Sequence, residues 1–231
     1  MQNIESPIIL ALDTPDLEVA KSWVAQTNGA VGIYKLGLEF FLKFGRDGVK
    51  AIQNETDREI FLDLKLHDIP NTVGAATSQV AALKPRFLTV HATGGNAMIK
   101  AAVESAPDIQ ITAVTILTSL SQVDMQEIGF EGSPESRAVA LAKLAVAAGA
   151  KAIVSSPHEI SGIRAAIPSY VSIITPGIRP KATAGEDDQK RVMDPRSALT
   201  AGANYLVIGR PITGAVNISE AAKAILEESL G

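Results

Sequence analysis

Eight short apolar, β-branched runs, each followed by a segment with helical spacing, punctuate this chain from end to end. The runs are Ile8–Asp13, Ile33–Leu38, Ile60–Leu66, Phe87–His91, Ile111–Leu117, Ala152–Ser155, Val171–Thr175 and Tyr205–Gly209. Nearly continuous hydrophobicity over so few residues is expected of parallel strands covered on both faces. Helix starts are readable between them, at Thr14-Pro15, Ser133-Pro134, Ser156-Pro157 and Asp194-Pro195. Each sets a capping oxygen before a proline that has no N–H to leave unpaired. In the first helical segment Leu17, Ala20 and Val24 share a face, and Gly29 is placed to close its end; Ala138 to Gly149 forms an alanine-rich helix.

Eight β/α units predict a closed (β/α)8 TIM barrel of class α/β, a single domain over residues 1–231. A doubly wound open sheet is the alternative. It fits less well, because no Gly-x-Gly-x-x-Gly follows the first run. With 46 % hydrophobic and 20 % charged residues, burial of a large core is expected.

Other classes are disfavoured by composition. A net charge of −4 disfavours a non-specific nucleic-acid binder. No cysteine is present, which excludes disulfides, thiolate chemistry and Cys-ligated zinc. No run approaches the roughly 18 apolar residues that cross a bilayer. Met1 to Glu5 lacks the basic start of a secretory leader, so a cytoplasmic protein without membrane partners is expected.

Polar residues gather at the ends of the runs: Asp13, Lys35, Asp63 with Lys65, His91, Thr118, Ser155-Ser156, Pro176-Gly177 and Gly209-Arg210. In a barrel of this kind the C-terminal strand ends converge on one face, where active sites lie. Asp63 and Lys65 are two apart and so share a side of their strand. Burying either alone is costly, which predicts that they pair with each other or with another charge. A structural ion pair, with Asp68 a solvated turn residue, would show the same spacing. Arg179 and Gln189 bracket a polar segment, Pro180 to Asp188, that could fold over a ligand. Arg210 follows Gly209 where such barrels bind phosphate. The three histidines lack metal-ligand spacing. His67 is expected to pack or cap, His91 to hydrogen-bond structurally, and His158 to lie at the surface. Trp23 and Phe40-Phe41 read as packing residues.

The segment Asp63-Leu64-Lys65-Leu66-His67-Asp68-Ile69-Pro70-Asn71-Thr72 resembles the signature of the orotidine 5′-phosphate decarboxylase family. The similarity continues through Ala11-Leu12-Asp13, Tyr34-Lys35, Leu117-Thr118-Ser119, Thr175 to Arg179 and Ile208 to Pro211. It implies decarboxylation of orotidine 5′-phosphate to UMP with no metal or other cofactor. Lys65 would protonate C6 of the pyrimidine and Asp63 would sit beside the substrate carboxylate. Lys35 would join the charge network and touch the ribose, which Asp13 would also bind. Thr118 and Ser119 would meet the pyrimidine edge, while Arg179, Gln189, Gly209 and Arg210 would hold the phosphate. Asp68 and Thr72 would reach the other subunit's site in a homodimer.

Two other readings share features with this one. A magnesium-dependent sugar-phosphate lyase, such as a hexulose-phosphate synthase or ketogulonate-phosphate decarboxylase, shares the barrel and the D-x-K-x-x-D spacing. Glu39 could serve as its metal carboxylate, although it lies beyond Lys35. A non-catalytic phosphate-binding barrel would keep the arginines without needing Asp63, Lys65 and Asp68 together.

Overall fold

A computed structural model of the chain describes residues 6–180 and 192–231. Eight parallel strands close into a barrel in sequence order, β1 pairing with both β2 and β8. They are β1 (Ile8–Ala11), β2 (Ile33–Gly37), β3 (Glu59–Leu66), β4 (Phe87–His91), β5 (Gln110–Val114), β6 (Ala152–Val154), β7 (Ser172–Thr175) and β8 (Tyr205–Ile208). Every apolar run read from the sequence contributes one of them. The fifth stops at Val114, earlier than the run, and Leu117 is 37 % exposed beyond its end.

Strand alternation sorts the apolar residues into two bodies. Ile9, Ile33, Phe61, Phe87, Ala152, Ile174 and Tyr205 fill the inside of the barrel. Their neighbours in sequence, among them Ile8, Leu10, Tyr34, Leu62 and Leu88, pack outward against the helices. Because both faces are covered, the strands are apolar throughout. Arg86 occupies the end of the barrel away from the site, paired with Glu59 and bonded to the Tyr205 hydroxyl. Its guanidinium lies 5.2 and 5.1 Å from the Phe87 and Tyr205 rings.

Helices α1 (Leu17–Thr27), α2 (Leu38–Gln53), α3 (Pro70–Ala81) and α4 (Gly95–Ser105) alternate with the first strands. The later ones are α5 (Gln122–Glu127), α6 (Pro134–Ala147), α7 (Ile160–Ala166), α8 (Pro195–Thr200), α9 (Arg210–Thr213) and α10 (Ile218–Leu230). Ser133 and Asp194 cap α6 and α8 as expected, accepting from Ser136 N at 3.1 Å and Ser197 N at 3.0 Å. Ser156-Pro157 opens a short 3₁₀ turn before α7.

Two boundary expectations fail at α1. Its cap is Asp16, whose carboxylate accepts from Glu18 N at 2.9 Å and Val19 N at 3.1 Å. Thr14 instead accepts from Asp16 N, setting up the turn that presents the cap. At the other end Asn28 closes the helix with helical φ and ψ, so no left-handed residue is needed and Gly29 is not one. At Gly149, by contrast, φ is +101° just past α6, a conformation that favours glycine. Among the described residues, no helix is long and apolar enough to cross a membrane.

Candidate active site

One inward position above the apolar filling, two of the three inward residues on β1, β2 and β3 are charged. Ala11, Lys35 and Asp63 follow Ile9, Ile33 and Phe61 by two residues and face a cavity of about 440 Å³ at the C-terminal strand ends. Phe61, Val114, Val154 and Val207 form its apolar wall, while Arg179, Gly209 and Arg210 border it after β7 and β8. One wall is thus charged, one apolar, and one rim cationic.

The charged wall is a continuous array. Asp13 Oδ1 lies 3.2 Å from Lys35 Nζ, which is 3.5 Å from Asp63 Oδ2, and that same oxygen accepts from Lys65 Nζ at 2.8 Å. Lys35 is only 8 % exposed, so its ammonium is held in place by both flanking carboxylates. Room for this meeting exists because position 37 has no side chain. A Cβ there would lie 3.2 Å from Asp13 Oδ1 and 3.3 Å from Lys35 Nζ. Burial alone would push the Asp63 carboxyl upward. Lys35 and Lys65, with hydrogen bonds from Lys65 and Thr89, outweigh it and hold that carboxyl below the ordinary carboxylate range.

Asp63 and Lys65 therefore share a side as alternation predicts, but not on a regular strand. The β3–β4 register is Leu62 opposite Leu88 and then Leu66 opposite Val90. Three residues of β3 face the single residue Thr89. Lys65 adopts φ +48°, a left-handed conformation uncommon for a side-chain-bearing residue. Its N–H donates to Thr89 Oγ1 at 2.8 Å, and the Thr89 hydroxyl donates to Asp63 Oδ1 at 3.0 Å.

The other sequence-predicted residues divide into three groups. Thr118, Arg179, Gly209 and Arg210 line the cavity, whereas Ser119 is exposed beside it. Asp68 and Thr72 are exposed, on the turn after β3 and in the first turn of α3. The Asp68 carboxylate accepts from Ile69 N at 2.6 Å and forms no ion pair with Lys65 among the described residues. Gln189 and the segment 181–191 lie outside the described residues. Three further residues escaped the sequence reading: Gly37, Thr89 and Thr213, the last also lining the cavity. Thr89 carried a usable signal, a polar residue two places after Phe87 on an inward register.

The histidines stay out of this array. His158 is exposed. The His67 and His91 rings sit 5.3 Å apart, with His67 exposed and His91 half-buried. Burial first, then the neighbouring His67 and Lys65, depress the His91 imidazole, with Asp63 opposing them. Glu39 is exposed on α2. Among the described residues no three His, Cys, Asp or Glu side chains gather as a metal site would need.

Comparison with known proteins decides the lineage. The profile described as "Orotidine 5'-phosphate decarboxylase / HUMPS family" matches residues 6–225. The chain belongs to this family. Within it, the chain is 49 % identical over 223 residues to the orotidine 5′-phosphate decarboxylase of Thermobifida fusca, covering 96 % of this chain and 95 % of that one. It is 45 % identical over 225 residues to that of Opitutus terrae, covering 96 % and 97 %. The crystal structure of the decarboxylase from Lactobacillus acidophilus superposes with TM-score 0.86 at 33 % identity, over 98 % of this chain and all of that one. For the Pyrococcus horikoshii decarboxylase the TM-score is 0.80 at 26 % identity, over 97 % and 99 %. Family membership and the (β/α)8 barrel thus agree.

Proposed function

We propose that this chain, acting as one barrel domain in the cytoplasm, decarboxylates orotidine 5′-phosphate to UMP and carbon dioxide in de novo pyrimidine biosynthesis. One observation carries the reading: the alternating Asp13–Lys35–Asp63–Lys65 array faces a cavity that has an apolar wall and two arginines on its rim. That combination suits a small anionic ester that must develop charge at a ring carbon while losing contact with water. Relatives at 43–49 % identity over nearly the whole chain carry the decarboxylase name, which supports this branch of the family.

The reaction breaks the bond between C6 and the carboxylate carbon. Carbon dioxide leaves, and the electron pair stays on C6. Lys65 Nζ gives that carbon a proton and is reprotonated from solvent. Two features fit the amine for this. Asp63 accepts from it at 2.8 Å, and the array fixes it beside the carbon that gains negative charge in this scheme, so little reorganisation is required. No metal or organic cofactor takes part in this scheme. Asp13 and Lys35 contact the ribose, and Thr118 with Ser119 the pyrimidine edge. Arg179, Gln189, Gly209 and Arg210 grip the phosphate, whose binding energy is available for desolvation at the distant reacting bond.

The functional unit in this proposal is a homodimer, with Asp68 and Thr72 completing the partner's site. Their exposure supports it, as does that of Ile69 between them, an apolar side chain left 65 % exposed. Neither nucleic acid nor membrane is a partner.

Ultraviolet assay of the purified protein tests the whole reading. Turnover of orotidine 5′-phosphate without added metal and in the presence of EDTA is expected, and Lys65→Ala should abolish it while leaving the circular-dichroism spectrum unchanged. Activity lost to EDTA and restored by magnesium would instead favour a sugar-phosphate lyase. Mixing Lys65→Ala with Asp68→Ala subunits should restore about a quarter of wild-type turnover, because half the dimers are mixed and each has one intact site. No restoration would overturn the shared site.

A further inference from the structure

The Thr89 hydroxyl is the only group that bonds to both the backbone of Lys65 and the carboxylate of Asp63 among the described residues. We propose that Thr89 is a positioning residue of the decarboxylation site, fixing the Lys65 amine and the Asp63 carboxylate in one geometry through a single hydroxyl. This deepens the reading above and depends on its assignment of Lys65 as proton donor.

The register supplies the argument. Between the Leu62–Leu88 and Leu66–Val90 pairs, β3 holds three residues where β4 holds one. The extra residues remove Lys65 from the regular ladder, and its N–H needs another acceptor. Thr89, fully buried on β4, stands opposite and accepts that N–H at 2.8 Å. Its own proton must then point elsewhere, and Asp63 Oδ1 receives it at 3.0 Å. The carboxylate's other oxygen takes the Lys65 amine at 2.8 Å and faces Lys35 at 3.5 Å.

A closed circuit results, running from the Lys65 backbone through the Thr89 hydroxyl and the Asp63 carboxylate to the Lys65 amine. It steadies Lys65 at φ +48°, a conformation that persists in a side-chain-bearing residue only where its surroundings impose it. It also sets the rotation of the carboxylate, so that one oxygen serves the hydroxyl and the other serves both cations. A hydroxyl is the smallest group able to accept from one neighbour and donate to the other. Valine has the same shape and neither capacity.

The test compares Thr89→Val, Thr89→Ser and wild type by kcat, KM, competitive inhibition by UMP and the pH profile of kcat/KM. Thr89→Val should lower kcat about 10- to 100-fold, the scale expected when a reacting group is misplaced by a fraction of an ångström to an ångström. UMP inhibition should stay close to wild type, because the phosphate grip is untouched. Asp63 loses a donor that favours its charged form, so the acidic limb of the profile should move to higher pH. Thr89→Ser should recover most of the turnover and return the limb to its wild-type position. Should Thr89→Val fail to fold, Thr89→Ala against Thr89→Ser makes the same comparison of hydroxyl absent and present. Wild-type kcat in a folded variant without the hydroxyl would overturn the proposal. Equal losses in kcat and UMP binding that serine does not rescue would also overturn it, pointing to packing alone. Absence of turnover in the unmutated protein would sink the decarboxylase reading itself, and this second result is read separately from the variants.

Discussion

Replacing Asp63 by asparagine keeps the shape of the side chain and removes the charge that two ammonium groups share. At 2.8 and 3.5 Å, with an effective dielectric of about 20, the gross attractions are about 6 and about 5 kcal/mol. Desolvation offsets much of both, and breaking a buried pair from one side typically costs about 3–5 kcal/mol. Lys35, 8 % exposed, retains only Asp13 as a charged partner among the described residues in the variant. For a chain of this size each kcal/mol moves the thermal midpoint by about 2–4 °C, so Asp63→Asn should melt roughly 6–20 °C below wild type at pH 7. The sign of the pH dependence follows from the depressed Asp63 carboxyl. Its contribution is present above the unfolded value of about 3.9 and is lost as pH falls through the lower folded value. Differential scanning calorimetry of both proteins from pH 7 downward should therefore show the gap closing at the acid end. Adding Lys35→Met to the variant should recover part of the loss, since the stranded ammonium is then gone. A variant within about 2 °C of wild type at pH 7 would refute the claim that this carboxylate holds the array together.

Three further outcomes follow from the same geometry. Gly37→Ala should fold normally, since φ −86° and ψ −175° suit alanine, yet lower kcat severalfold by pressing a methyl between Asp13 and Lys35; wild-type kinetics would contradict the crowding. Arg210→Ala should raise KM by about 10-fold or more and weaken UMP far more than uridine, measured as competitive inhibition, because a charge-assisted bond to phosphate is lost. For His91, depressed in the folded chain, stability should fall as pH drops below about 6.5, where the unfolded imidazole takes a proton first. His91→Asn should flatten that segment of the thermal-midpoint profile relative to wild type.

The β/α alternation was legible because buried parallel strands must be apolar on both faces, and the chain writes that requirement as eight runs. The helix caps were legible where capping depends on one side chain and a following proline, at Ser133 and Asp194. They were misread at α1, where Thr14 and Asp16 both offer an oxygen and the path of the loop chooses between them. That Asp63 and Lys65 would each find a counter-charge, in one another or elsewhere, was foreseeable from cost, since neither could be buried singly.

What the amino-acid order determined by itself was therefore the eight strands with helices between them, the side shared by Asp63 and Lys65, and the polar residues at the strand ends. Tertiary structure alone decided which of those residues meet. Side-by-side pairing of β1, β2 and β3 brings Asp13, just past the first strand, together with Lys35 and Asp63 in one array, and the register between β2 and β3 sets Gly37 opposite Asp63, beside the meeting point. The offset of β3 against β4 likewise turns Thr89 from a strand residue into the link between the two charges. Periodicity is a local property, carried by neighbours in sequence. Register is a property of two chain segments together, and only their packing fixes it.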